Sequence, residues 1–366
     1  MVALPYPVVV RAGALDHIAD TLRDVAPRLR VAIVTDSHVG PLYGERVAKT
    51  LGVEHATFVM PAGEQHKNRE SWVRLTDDLL ARGFGRDSLI IALGGGVVGD
   101  VAGFVAATYM RGIPVLQVPT TLLAMVDASI GGKTGVDTPA GKNLVGAFHP
   151  PVAVMIDPDV LRTLPADHMR AGFAEIVKHG VIADADYFEQ ASTFAERWPL
   201  GGARAGNAGL DELTDIIRRS VEIKASIVAR DERESGLRRV LNFGHTIGHA
   251  IEAATDFATL HGQAVAIGLV AEARLAERIG VAANGTARVI ERACRAAGLP
   301  TSLPSIPVDT IIGYTRMDKK ARGGRVEYAL PTRIGAMAGA DSGWTVPVDD
   351  TVVKEALGAG GGGGGA

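Results

Sequence analysis

The chain has 366 residues, 47% of them apolar, and its 38 Lys and Arg against 41 Asp and Glu leave a formal net charge of −3. A charge so near zero provides no electrostatic footprint for nucleic acid or an anionic membrane, and a single cysteine, Cys294, excludes a disulfide framework and suits a reduced cytosol. The length suggests two domains or one large one. No run reaches the roughly 18 apolar residues of a membrane span, and "MVALPYPVVVRAG" at the start does not have the build of a signal peptide.

Taken in chain order, "YPVVVRA", "RVAIVTD", "EHATFVMP", "SLIIALGG", "IPVLQVPTT" and "VAVMIDP" read as strands, with helical patterns such as "SWVRLTDDLLARG" between them. This alternation predicts an α/β domain over residues 1–164 with a parallel, doubly wound sheet. From Pro165 the character changes. "DHMRAGFAEIVKHGVI", "LTDIIRRSVEIKASIVARDE", "LRRVLNFGHTIGHAIEAAT" and "GQAVAIGLVAEARLAERIG" carry helical periodicity, so residues 165–357 read as an all-α domain. "ERWPLGGARAGNAG", residues 196–209, reads as a loop within it, and residues 358–366 as a glycine-rich tail that cannot pack.

The stretch "LIIALGGGVVGDVAGF" raises the first functional question. Gly94, Gly96 and Gly99 satisfy G-x-G-x-x-G after a buried strand, so backbone N–H groups and a helix N-terminus suit a phosphate. The full dinucleotide fingerprint also needs an acidic residue ending the next strand, and that strand ends in Pro-Thr-Thr. The earlier strand "RVAIVTD" supplies Asp36 instead. On spacing alone, a phosphate loop and a plain glycine turn both fit.

A second cluster lies in "NFGHTIGHAIEAATDFATLHG". His245 and His249 are four apart, on one helix face, which suits a divalent metal, and His261 stands at a helix start. Glu175, in apolar "AGFAEIVKHG", is a candidate oxygen ligand because a buried carboxylate needs a compensating cation; His179 also fits by spacing. Helix caps or surface histidines are the plainer alternative. "VDASIGGKTGVDTPAGKNLVGAFHPP", residues 126–151, holds Asp127, Lys133, Lys142 and Asn143 and reads as a glycine-rich loop, solvated or anion-binding. Lys178, Lys224, Arg238, Lys319 and Lys320 complete a set of cations that are either solvated charges or partners for phosphate and carboxylate.

"ALGGGVVGDVAGFVAATYMRGI", "VPTTLLAMVDASIGGKTGVDTPAGKNLVGAF", "AGFAEIVKHG" and "GLRRVLNFGHTIGHAIEA" together resemble the 3-dehydroquinate synthases, from about residue 6 to residue 340. The resemblance implies a Rossmann-like first domain in which the glycine turn lies against the pyrophosphate of NAD. It implies metal ligands at Glu175, His245 and His261, which moves His249 from the spacing-based pair to the substrate site. Implied NAD contacts are Asp36; Ala62, Gly63, Glu64, Gln65, His66 and Lys67; Gly96, Val97, Val98, Gly99 and Asp100; Thr120 and Thr121; Lys133 and Lys142; and Val160, Leu161, Arg162 and Thr163. Implied substrate residues are Arg111, Asp127, Lys133, Asn143, Lys178, Lys224, Arg238, Asn242, His249 and one of Lys319 or Lys320.

The chemistry the resemblance implies is conversion of 3-deoxy-D-arabino-heptulosonate 7-phosphate to 3-dehydroquinate and phosphate. NAD oxidises the C5 carbinol transiently, phosphate is eliminated, and re-reduction, ring opening and aldol closure follow. A divalent ion, zinc or cobalt, acts as Lewis acid, and the leaving phosphate or His249 takes the C6 proton. A cytoplasmic homodimer is implied as well. One departure stands out. Where these enzymes often read "HGEAV", this chain reads "HGQAV", and Gln263 removes a charge near the metal. Another sugar phosphate cyclase and a metal-dependent polyol dehydrogenase are the competing readings.

Overall fold

A computed structural model describes residues 4–26, 29–139, 141–197, 207–317, 321–322 and 325–358. The tail from 359 on, the centre of the expected loop at 198–206, and Lys319 and Lys320 lie outside the described residues. Two compact units divide the chain at Leu164 and Pro165.

The first unit runs β1 Val8–Val10, α1 Ile18–Val25, β2 Arg30–Asp36, α2 Glu45–Leu51, β3 His55–Met60, α3 Arg69–Ala81, β4 Ser88–Gly94, α4 Gly96–Thr108, β5 Val115–Pro119, β6 Lys133–Thr138, β7 Gly141–Phe148 and β8 Ala153–Ile156. Six strands form a parallel sheet in the order β1-β8-β5-β4-β2-β3. β4 is buried along its whole length, which is why its sequence has no polar alternation. Phe58, Leu79, Phe84, Phe104 and Tyr109 fill the core on one face. The chain steps from β2 outward to β3 and then back past β2 to β4, so the topology reverses beside β2 and β4. At such a reversal a crevice opens at the carboxyl ends of the strands.

The segment 126–151 departs from the expected loop. A helical turn at Ala124–Ala128 leads into the antiparallel hairpin β6–β7. Its glycines are there for close strand approach: a Cβ on Gly146 would stand 2.1 Å from the Thr134 carbonyl oxygen. Glycine content read as loop content, whereas the backbone uses it for pairing.

The second unit is helical, with α5 Ala166–Ala183, α6 Ala185–Arg197, α7 Asn207–Arg230, α8 His245–Ala254, α9 His261–Arg278, α10 Thr286–Ala296 and α11 Val308–Met317. Five short strands follow, β9 Ala321–Arg322, β10 Arg325–Tyr328, β11 Pro331–Arg333, β12 Ala336–Met337 and β13 Val346–Val348, and then α12 Asp350–Gly358. They make two small antiparallel sheets, β13-β10-β9 and β11-β12, an addition to the all-α expectation. Both ends of the expected 196–209 loop are helical, since α6 runs to Arg197 and α7 opens at Asn207. Among the described residues, no helix is long and apolar enough to cross a membrane.

The stretch 237–255 is not one helix. A 3₁₀ turn at Leu237–Asn242 ends before Gly244, whose φ of +80° suits glycine, and α8 begins at the next residue. The fully buried carboxylate of Glu272, on α9, accepts the N–H of Gly244 at 2.6 Å and of Ile247 at 2.9 Å, capping α8. α9 packs through glycines. A Cβ on Gly262 would stand 1.9 Å from the Ala171 carbonyl oxygen, and one on Gly268 would stand 1.9 Å from that of Gly244.

Candidate metal centre and nucleotide loop

In the second unit, α5, α8 and α9 each bring one donor to a common point. Glu175 sits mid-way along α5, fully buried, whereas His245 and His261 are the first residues of α8 and α9. His245 Nε2 is 3.6 Å and His261 Nε2 3.8 Å from Glu175 Oε1. Bonds of about 2.1 Å to one ion put neighbouring donors roughly 3–3.5 Å apart, so the trio is close to ligating geometry. The Lys178 ammonium pairs with Glu175 Oε2, whereas Oε1, the oxygen that faces both imidazoles, has no hydrogen-bond partner. A buried carboxylate left this way fits a cation beside it.

The imidazoles are turned to match. His245 Nδ1 lies 3.1 Å from the Phe243 carbonyl oxygen, and donating there leaves Nε2 with its lone pair. Burial holds His245 well below the usual imidazole range, and Lys178, His249 and His261 push it the same way, so it is neutral, the form that binds a metal. The His249 ring stands 5.3 Å from His245 and 5.9 Å from His261. One of its nitrogens also lies within 4.8 Å of ligand atoms of Glu252 and His261, a second trio that could hold an ion.

The same unit buries an unusual number of cations. Lys178 is 1% exposed, Lys224 6% and Arg238 2%, which rules out solvated helix charges. Arg238 Nη1 donates to the Glu232 carbonyl oxygen at 2.5 Å. Its turn is ordered by Asp231, whose carboxylate accepts the N–H groups of Ser235, Gly236 and Arg238. Burial pushes Asp231 up, but these hydrogen bonds outweigh it and bring the carboxyl down to about 2. Asn242 Nδ2 donates to Glu234 Oε1 at 2.5 Å.

In the first unit, the carboxyl ends of β2, β4 and β5 gather Asp36, Gly94–Gly96 and Thr120–Thr121. Asp36 Oδ1 accepts the N–H groups of His38 and Val39, both at 2.8 Å, fixing the turn after β2. The glycines answer the opening question individually. Gly94, Gly99 and Gly103 are packing glycines, because an added Cβ would stand 2.6 Å from Val98, 2.8 Å from Gln117 and 2.4 Å from Thr134. A Cβ on Gly96 would meet only Ala128 at 3.4 Å. Nothing inside the protein requires glycine there, which fits a ligand approaching the first turn of α4. Thr120 Oγ1 is buried without a hydrogen-bond partner, a second observation in favour of a bound group. Val160–Thr163 is tied to the turn after β2, since Tyr43 donates its hydroxyl hydrogen to the Val160 carbonyl at 3.1 Å and lies 2.6 Å from Thr163 Oγ1.

The remaining expected residues of this unit also make contacts within the protein. Lys67 Nζ is 2.5 Å from Asp100 Oδ2, and Lys142 Nζ is 3.1 Å from Glu64 Oε1, so these four pair with one another. Arg111 follows the C-terminal end of α4, about 20 Å by helix rise from the glycine turn. Lys133 and Asn143 are exposed on β6 and β7, and Asn143 has a φ of +55° held by Asp137, which accepts its N–H at 2.8 Å. Asp231, Glu234, Asp137, Glu252 and Glu272 were missed from sequence. For Glu252 and Glu272 the available signal was an acidic residue inside an apolar run, in "HAIEAA" and "GLVAEARLA".

The chain as a whole is similar to several known proteins. Family models described as 3-dehydroquinate synthase N-terminal and C-terminal match residues 57–171 and 172–321. A relative from Acidithiobacillus ferrooxidans named 3-dehydroquinate synthase is 47% identical over 338 residues, 90% of each chain. Among solved structures, 2-epi-5-epi-valiolone synthase from Streptomyces hygroscopicus subsp. jinggangensis with NAD+ and Zn2+ is similar at a TM-score of 0.84 and 31% identity, covering 97% of this chain and 96% of that one. A 2-deoxy-scyllo-inosose synthase complexed with carbaglucose-6-phosphate, NAD+ and Co2+ has a TM-score of 0.85 at 27% identity with the same coverage.

Proposed function

The chain belongs to the 3-dehydroquinate synthase family, and from that premise we propose that it converts 3-deoxy-D-arabino-heptulosonate 7-phosphate to 3-dehydroquinate and phosphate. The observation that carries the reading is the buried trio Glu175, His245 and His261 in a unit that also buries Lys178, Lys224 and Arg238. A metal site in a unit that also buries several cations suits a substrate with vicinal hydroxyls, a carboxylate and a phosphate.

The enzyme uses NAD and one divalent ion. When bound, NAD supplies reversible oxidation of the C5 carbinol and the ion supplies Lewis acidity at the substrate hydroxyls. Glu175, His245 and His261 hold the ion. Lys224 and Arg238 bind the substrate anions, and their burial strengthens each pairing by excluding water. Asn242 and His249 orient substrate hydroxyls, with His249 or the leaving phosphate taking the C6 proton. In the other unit, the Gly96 turn and Thr120–Thr121 receive the NAD phosphates, and Asp36 receives a ribose. Arg111, Asp127, Lys133 and Asn143 are substrate contacts on the same reading. A cytosolic homodimer belongs to it too, and sedimentation of the purified chain tests the dimer.

The deciding experiment follows phosphate release from the heptulosonate phosphate with NAD in catalytic amount. Full conversion with no build-up of reduced cofactor is expected. Stoichiometric reduction of NAD would mean a polyol dehydrogenase. Inertness toward this substrate alongside turnover of another sugar phosphate would mean a different cyclase.

A further inference from the structure

We propose that Glu252 is a positioning residue of the metal site, holding the His261 ring by Nδ1 so that Nε2 faces Glu175. The inference rests on the metal reading above and extends it to a residue outside the ligand trio. His261 is the most exposed of the three donors: its side chain is 28% exposed, against 10% for His245 and 0% for Glu175. As the first residue of α9 it has no preceding helical turn to lock its rotamer, and it follows a loop in which Asp256 and Phe257 both take left-handed φ values of 50° and 59°. Its orientation therefore has to come from a partner.

That partner is in place. Glu252 Oε2 lies 3.1 Å from His261 Nδ1, and the Glu252 side chain is 2% exposed. A carboxylate this buried accepts a hydrogen bond strongly, so it keeps a proton on Nδ1 and leaves the Nε2 lone pair pointing at Glu175, 3.8 Å away. The two histidines are thus held unequally, His245 by the neutral Phe243 carbonyl and His261 by a charge. α8 carries His245 at its start and Glu252 two turns on, so one helix supplies a ligand and the anchor of another ligand. Gln263 does not share this role. Its Oε1 accepts the Leu260 N–H at 3.3 Å, capping α9, so the charge beside His261 comes from Glu252 and the exchange of Glu for Gln at 263 keeps its acceptor.

The test uses the full chain, stripped of metal and saturated with NAD. Zinc is titrated against a chromogenic chelator in the wild type and in Glu252→Gln, Glu252→Ala, His249→Ala and His261→Ala. Long-range nitrogen NMR of the zinc-free protein reads which His261 nitrogen is protonated. Expected are one zinc per chain, an affinity about 10–100-fold lower in Glu252→Ala, and a smaller loss in Glu252→Gln, whose amide oxygen still accepts but lacks the charge. The Nδ1–H form of His261 should give way to a mixture of forms in Glu252→Ala. NAD affinity and melting temperature of Glu252→Gln should stay near wild type. Should Glu252→Ala not fold, Glu252→Gln decides: wild-type zinc affinity and an unchanged His261 signal would overturn the proposal. Wild-type affinity in the Glu252 variants with zinc lost in His261→Ala would overturn the role of Glu252 and spare the metal site. No zinc binding by the wild type would overturn both. A second zinc that disappears in both His249→Ala and Glu252→Gln would make Glu252 a ligand, also against the proposal.

Discussion

The Lys67 ammonium sits 2.5 Å from Asp100 Oδ2, joining the turn after β3 to the first turn of α4. Lys67 is buried, and burial pulls its ammonium down, but Asp100, Glu64 and Asp137 more than offset that and hold it above the ordinary lysine range. Its carbonyl oxygen also accepts the Asp137 N–H at 2.7 Å, so the hairpin β6–β7 is fastened to the same residue. Lys67→Met leaves Asp100 without its partner and should cost about 3–5 kcal/mol in urea unfolding. A loss under roughly 0.5 kcal/mol would reduce the pair to an ordinary surface contact.

The glycine turn allows a contrast between ligand space and packing space. Gly96→Leu should fold with near-wild-type melting and bind NAD at least tenfold more weakly by calorimetry, because its side chain enters the space left beside Ala128. Gly103→Ala, whose methyl would stand 2.4 Å from Thr134 Cγ2, should lose about 1–3 kcal/mol of stability instead. Unaltered NAD affinity in Gly96→Leu would return the turn to a purely structural role.

For the metal, elemental analysis separates ligand from neighbour. His245→Ala and His261→Ala should each weaken zinc by more than the roughly 10–100-fold typical of losing a ligand's hydrogen-bond partner. His249→Ala should retain its zinc and lose turnover. Retention in His261→Ala with loss in His249→Ala would revive the pair suggested by four-residue spacing.

The buried cations are tested by kinetics. Lys224→Met and Arg238→Met should each lower kcat/KM on the heptulosonate phosphate about thirtyfold or more, corresponding to roughly 2–5 kcal/mol of transition-state binding. NAD and zinc affinities should hold. Normal kcat/KM in both would remove these residues from the substrate site.

Asp231 makes a pH prediction. Its folded value of about 2 lies below the ordinary 3.8, so its contribution is complete above pH 3.8 and disappears as the pH falls toward 2. Asp231→Asn should lower stability above pH 4 by about 1 kcal/mol, allowing for solvent screening, and flatten the acid limb of unfolding between those values. An acid limb identical to wild type would mean that the turn holds without the charge.

How far the molecule could be read from its sequence depended on the range of the interaction involved. "RVAIVTD" and "SLIIALGG" announced β2 and β4 through uninterrupted apolar runs, because a strand covered on both faces has no polar side to show. His245 and His249 were visible as a pair because helical spacing is local, whereas His261 and Glu175 converge through packing of three helices, which no spacing rule encodes. The family resemblance supplied that convergence. The hairpin β6–β7 was missed since its glycines resemble loop glycines until the opposing strand is known. The anchoring carboxylates Glu252, Asp231 and Glu272 were missed because their partners are main-chain groups or a side chain from another segment.

α9 touches α5 at Gly262 and the α8 entrance at Gly268, in both cases carbonyl against Cα. Main chain has no rotamers, so the spacing of the three ligand-bearing segments inherits none of the slack of side-chain packing. Core residues further along α9, such as Leu275, should therefore tolerate exchange for others of similar volume while the ligand separations hold. A single methyl group added at position 262 or 268 acts like a shim driven into a joint. It would spread the donors apart without altering any of them, so a chain with every ligand intact could still fail to hold its metal.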